Sequence, residues 1–195
     1  MKVFSTTDIR KFRDDKVLND ALLNASPFRR QKYDTIKNEI GKLQVIANTF
    51  LLNKCLNEIG LNEKDMEYIV EKNGKLKFAN APDVHFNLSH SKNMSLAVVS
   101  DKPVGCDIQY VDKVDRKIFD AVLSDEEKKE IESMTDEKKI CERFYELWAM
   151  KEAIIKKDGT GLRDRLTDVH DERVYMEKTI LKQDGIVEKY IIAII

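Results

Sequence analysis

The sequence predicts an α+β fold in two halves, residues 1–102 and 103–195, and three observations predict it. Segments of helical and strand period come in blocks rather than in strict alternation: a helix then strands, followed by a strand, helices and strands. The turn residues Asp101-Lys102-Pro103 interrupt the chain near its middle. A chain of 195 residues with 42% apolar side chains can build a core for one large domain or two small ones.

Each element has a local reason. Ser26 can cap a helix and Pro27 suits its first turn. Ile36, Ile40, Leu43, Ala47, Phe50, Leu51 and Ile59 then recur at helical spacing, so one long core helix is expected before Gly60. Met66, Tyr68 and Val70 alternate, Asn73-Gly74 supplies a hairpin turn, and 75–78 alternates again. Strands are expected at 84–89, 94–100 and 104–110. Ser124-Asp125-Glu126-Glu127 reads as a capping box. Thr135-Asp136 opens a helix carried by Ile140, Phe144, Leu147, Trp148, Ile154 and Ile155 to about Asp158, where Gly159 and Gly161 end it. Strands at 173–181 and 186–195 flank an Asp184-Gly185 turn. The halves share no obvious internal repeat.

Composition narrows the class of protein. Thirty-four Lys and Arg against 35 Asp and Glu leave a net charge of -1, so no global field draws the chain to nucleic acid or to a membrane surface. Any anion site must be a local cluster. Cys55, Cys106 and Cys141 are widely spaced and odd in number, which argues against a disulfide framework and a zinc site. MKVFSTTDIRKF lacks an apolar signal core and no window approaches a membrane span, so a cytoplasmic protein is expected.

Three stretches could carry chemistry. In VGCDIQ, strand period puts Asp107 and Gln109 on one face. Hard cations take such carboxylate and amide oxygens, although an Asp near a strand end also serves as a turn or cap residue. In FYELWAMKEAIIKK, steps of four align Phe144, Trp148, Glu152 and Lys156, with Lys151 beside them. A carboxylate flanked by two lysines suits a metal and a phosphate; an amphipathic helix with an i,i+4 ion pair accounts for the same pattern. In FNLSHS, His90 stands between two serines where a strand meets a polar stop, as a turn residue or as a phosphate donor. Neither a P-loop nor a dinucleotide fingerprint is present, and no nucleophile elbow surrounds the serines.

FNLSHS, VGCDIQ and WAMKEAIIK, in that order, resemble the 4′-phosphopantetheinyl transferase superfamily, in its surfactin-type branch. The likeness covers about 75 to 162, with Asn73-Gly74-Lys75 upstream and Gly159-Thr160-Gly161-Leu162 after the helix. The resemblance implies transfer of the phosphopantetheine arm of coenzyme A to a serine of an apo acyl or peptidyl carrier protein. It also implies a monomeric pseudo-dimer of similar α+β halves, each a small antiparallel sheet packed with a long helix, with coenzyme A in the cleft between them. By position, Asp107, Glu152 and Gln109 match the metal site for Mg2+, or Mn2+ in its place. Gln109 departs from the glutamate that many members carry, and its neutral amide is a weaker ligand. Ser89, His90, Lys151, Lys156 and Lys75 match coenzyme A contacts, although Leu76 replaces a proline after Lys75. Arg29, Lys32 and Lys42 match the region holding the adenine-side phosphates. Glu152 is the implied base, with Lys156 as the alternative should its pKa be depressed. The typically acidic carrier would meet cations and apolar groups, for which Lys113, Arg116, Lys117 and Phe119 are candidates. A coenzyme A-binding pseudo-enzyme and a metal-dependent nucleotide pyrophosphate hydrolase are the competing readings.

Overall fold

In the computed structural model, which describes residues 2–159, 166, 169, 173–183 and 185–195, the chain divides into two units, Met1–Val104 and Gly105–Ile195. Both combine helices with antiparallel sheet.

The first unit begins with a strand beyond those expected from the sequence. β1 (Lys2–Asp8) pairs with β5 (Met94–Ser100), which also pairs with β4 (His85–Ser91), giving the order β1-β5-β4. Asp14 caps α1 (Asp15–Leu23) by accepting from the amides of Lys16 and Val17. The single long helix expected after Ser26 is two. α2 (Pro27–Thr35) ends at Ile36, whose backbone is extended, and Asn38 caps α3 (Glu39–Asn57) by accepting from the Gly41 amide at 2.6 Å. The apolar period ran across this break in spacing alone, since Ile36 is half-buried and Ile40 is 56% exposed. Leu51, Leu52, Cys55 and Leu56 of α3 pack with Phe86 of β4 and Ala97 and Val99 of β5. β2 (Tyr68–Val70) and β3 (Leu76–Phe78) form a separate hairpin in which Gly74 takes φ 86°. β4 does not stop at Ser89: it runs to Ser91, with His90 opposite Ser95, and Lys92 turns the chain at φ 49°.

In the second unit, β6 (Cys106–Tyr110) lies beside β8 (Ile186–Ile194), which pairs in turn with β7 (Tyr175–Gln183). α4 (Phe119–Val122) and α5 (Asp125–Glu132) precede the long α6 (Glu137–Asp158). The capping box forms, with the Ser124 hydroxyl accepting from the Glu127 amide and the Glu127 carboxylate from the Ser124 amide. Gly159 closes α6 at φ 71°, which favours glycine. Of the features expected from sequence, Thr160, Gly161, Leu162 and Asp184 lie outside the described residues. Ala149 and Ala153 of α6 pack against Ile191, Ala193 and Ile195. Small residues there let the helix lie close to the sheet. Among the described residues no helix is long and apolar enough to cross a membrane.

Candidate active site

The second unit brings four of the expected residues together. Asp107 and Gln109 sit opposite Ala193 and Ile191 in the β6–β8 ladder, and therefore on the sheet face that packs against α6. Helical period carries Glu152 and Lys156 on one stripe of α6. Gly105 permits the approach. A Cβ at this position would stand 1.9 Å from the Ala153 carbonyl oxygen and 2.5 Å from the Lys157 nitrogen, so the start of β6 meets the α6 backbone directly.

One contact is ionic and one is a hydrogen bond from a neutral amide. Asp107 is 2% exposed. Its Oδ1 accepts from Lys156 Nζ at 2.5 Å and its Oδ2 from Gln109 Nε2 at 2.7 Å. Burial pushes the Glu152 carboxyl above the ordinary carboxylate range and the Asp107 charge adds to the rise, against the opposing pull of Lys156 and of a hydrogen bond from Trp148. Burial alone would lower Lys156, but Asp107, with help from Cys106 and Glu152, outweighs it and the ammonium is held above its usual value. The depressed pKa that would let Lys156 act as a base is therefore absent in this arrangement.

A hard divalent cation takes one or two carboxylates together with substrate phosphate and water. Asp107 is near enough to raise the Glu152 pKa and Gln109 adds an amide on the same face as Asp107, so the donor set fits such an ion. Among the described residues no cluster of three or more His, Cys, Asp or Glu forms a cage that would hold a metal without a ligand's help.

Lys151 corrects an expectation. Its side chain is fully buried, and Nζ donates to the Val122 carbonyl at 2.8 Å and to Glu127 Oε2 at 2.5 Å. An ammonium committed in this way to α5 and the end of α4 does not face a phosphate. Phe119 is likewise unsuited to a partner surface, being 5% exposed and stacked on Phe144 at 5.2 Å. Lys113, Arg116 and Lys117 are exposed, and Arg116 pairs with Glu137 at 2.6 Å.

The first unit holds the other candidates. Ser89 and His90 are consecutive in β4 and so point to opposite faces, the serine buried and the histidine exposed. Lys75 is half-buried in the turn between β2 and β3. Lys32 lies on α2, where burial and then the charge of Arg29 lower its pKa. Lys42 Nζ lies 5.2 Å from the Tyr33 ring centroid. Arg29 departs from expectation. It is 2% exposed, and its guanidinium donates to Thr49 Oγ1 at 2.9 Å and to the Val45 carbonyl at 3.3 Å, inside the unit rather than toward a ligand.

Sequence reading missed three groups that shape this chemistry: Glu127 as the partner of Lys151, Gly105 as the close-approach residue, and the buried Glu63. The capping box pointed to Glu127, and the glycine directly before the CDIQ strand could have pointed to Gly105. Nothing in the local pattern marked Glu63.

A model of the 4′-phosphopantetheinyl transferase superfamily matches residues 103–187. The 4′-phosphopantetheinyl transferase psf-1 of Bacillus pumilus is 30% identical over 154 residues, covering 76% of this chain and 66% of that protein. The 4′-phosphopantetheinyl transferase Sfp of Bacillus subtilis (strain 168) is 27% identical over 138 residues, covering 70% and 61%. The 4′-phosphopantetheinyl transferase gsp of Aneurinibacillus migulanus is 27% identical over 171 residues, covering 88% and 71%. The matches thus span 61% to 71% of the length of these three relatives.

Proposed function

From the match of residues 103–187 to the 4′-phosphopantetheinyl transferase superfamily and the 30% identity to one such transferase, we propose that this chain is a member of that superfamily and transfers the 4′-phosphopantetheine arm of coenzyme A to a serine of an apo acyl or peptidyl carrier protein. The observation that carries this reading is the convergence of Asp107, Gln109, Glu152 and Lys156 between β6 and α6. The proposal includes a cytoplasmic monomer built as the family's pseudo-dimer, with coenzyme A in the cleft between the halves.

In the proposed reaction the carrier serine oxygen forms a bond to the pantetheine-side phosphorus. The pyrophosphate bond breaks, and adenosine 3′,5′-bisphosphate leaves with the electron pair. Glu152 accepts the serine proton; its raised pKa makes it a stronger base than an ordinary carboxylate. Asp107 and Glu152, with Gln109 as a neutral neighbour, would hold Mg2+ or Mn2+, which when bound supplies positive charge to the pyrophosphate. Lys156 keeps its proton and orients Asp107. His90 and Lys75, with Lys32 and Lys42, supply donors and positive charge to the coenzyme A phosphates. Lys151 holds α6 in place rather than meeting the ligand.

The test is release of adenosine 3′,5′-bisphosphate on addition of apo carrier. Release that requires the carrier and is lost in Glu152→Gln supports the reading. Release without carrier favours the hydrolase, and coenzyme A binding without release favours the pseudo-enzyme.

A further inference from the structure

Glu63, fully buried in the first unit, takes no part in the proposed chemistry, yet it is densely bonded. Its Oε2 accepts the Ser26 amide at 2.6 Å. Its Oε1 accepts the Ser26 hydroxyl at 2.8 Å and the Tyr68 hydroxyl at 2.6 Å. Its own amide donates to Asn53 Oδ1, on α3, at 2.9 Å. Ser26 is the residue that caps α2, its hydroxyl accepting from the Arg29 amide at 3.3 Å. One carboxylate thus grips the start of α2 at two atoms while its own backbone is tied to α3.

Arg29 makes the second link, since both of its guanidinium bonds end on α3, at Thr49 and Val45. Arg29, Lys32 and Tyr33 stand at i, i+3 and i+4 and share one stripe of α2, and the Tyr33 ring neighbours Lys42 of α3. Burial raises the Glu63 pKa, against which the Tyr68 and Ser26 hydrogen bonds and Arg29 work to keep the charge. A buried ionic group of this sort adds little net stability over an apolar packing of the same shape, so what it supplies here is orientation.

We propose that Glu63 is a positioning residue that seats α2 on α3 through Ser26 and thereby sets the spacing of the Lys32 and Lys42 ammonium groups; the ligand they meet, a coenzyme A phosphate, rests on the reading above. The two charged groups ride on separate helices, so the joint between the helices determines how well both reach one anion.

Glu63→Gln and Ser26→Ala cut the same link, the first by removing charge and an acceptor, the second without changing charge. Each raises KM for coenzyme A roughly three- to tenfold, with kcat and the KM for carrier unchanged. The two rises do not add in the double variant, and amide exchange in α2 quickens while β5 stays protected. If Glu63 acted only through its charge, Glu63→Gln would lower KM and Ser26→Ala would leave it alone, which would overturn the proposal, as would an unchanged KM in both. Should Glu63→Gln fail to fold, Ser26→Ala decides. Should the wild-type protein transfer nothing, the proposed function fails, and calorimetric binding of coenzyme A with amide exchange then decides for Glu63: unchanged affinity or exchange overturns it, and weaker binding with faster exchange in α2 upholds it.

Discussion

Glu152 carries a cost at the scale of single residues. Its folded-state pKa is raised, so the folded protein prefers the protonated carboxyl, and stability falls as pH rises through that value. In metal-free protein, Glu152→Gln should therefore melt higher than wild type at pH 8, by about 2–4 °C for each kcal/mol recovered. The gain should vanish near pH 4, where both states carry a neutral side chain, while transfer is lost by a factor of about 10²–10⁴. Thermal melts at the two pH values check this, and equal melting temperatures at pH 8 would contradict the burial argument. His90→Ala should raise KM for coenzyme A more than it lowers kcat; the reverse split in steady-state kinetics would return His90 to the proton-transfer candidates. That Asp107 and Gln109 share one face, and Glu152 and Lys156 another, was legible in the sequence because two local periods, two in a strand and 3.6 in a helix, decide which side chains point the same way; joining the two pairs into one site came from the family resemblance. Lys151 and Arg29 were misread for the opposite reason. A cation in a sequence reads as exposed, and the groups that bury these two lie 24 residues away at Glu127 and 20 away at Thr49.

At the level of elements, the β6–α6 contact depends on a missing side chain. Gly105→Ala pushes a Cβ into the Ala153 carbonyl, and backbone cannot yield as a flexible side chain would. A loss of about 1–3 kcal/mol or more in urea unfolding is expected, with reduced transfer because Asp107 moves away from α6. A variant as stable and active as wild type would contradict the close approach. Lys151→Met breaks the buried pair with Glu127 and should cost about 3–5 kcal/mol in the same measurement, with KM for coenzyme A unchanged. Unaltered stability with a raised KM would restore the phosphate contact that the resemblance implied. Boundaries carried by caps were readable, such as Ser124 and Gly159. The break between α2 and α3 was not, because Ile36 and Ile40 continue the apolar period across it and Asn38 looks like any polar residue on a helix surface. β1 escaped notice because a short β-branched stretch at a chain start acquires its meaning from β5, some ninety positions later in the register.

For the whole molecule, the block order of helices and strands pointed to the α+β class, and the proposed chemistry comes from the family likeness, because three short motifs in a set order are far more specific than any one of them. The central claim is that the Asp107–Glu152 site serves group transfer to a protein serine. The most direct measurement is the intact mass of an apo carrier after incubation with this protein, coenzyme A and Mg2+, beside a carrier whose acceptor serine is alanine. The account predicts a gain of one phosphopantetheine on the serine carrier, none on the alanine carrier, and none with Glu152→Gln. An unchanged carrier mass, across acyl and peptidyl carriers alike, would contradict it.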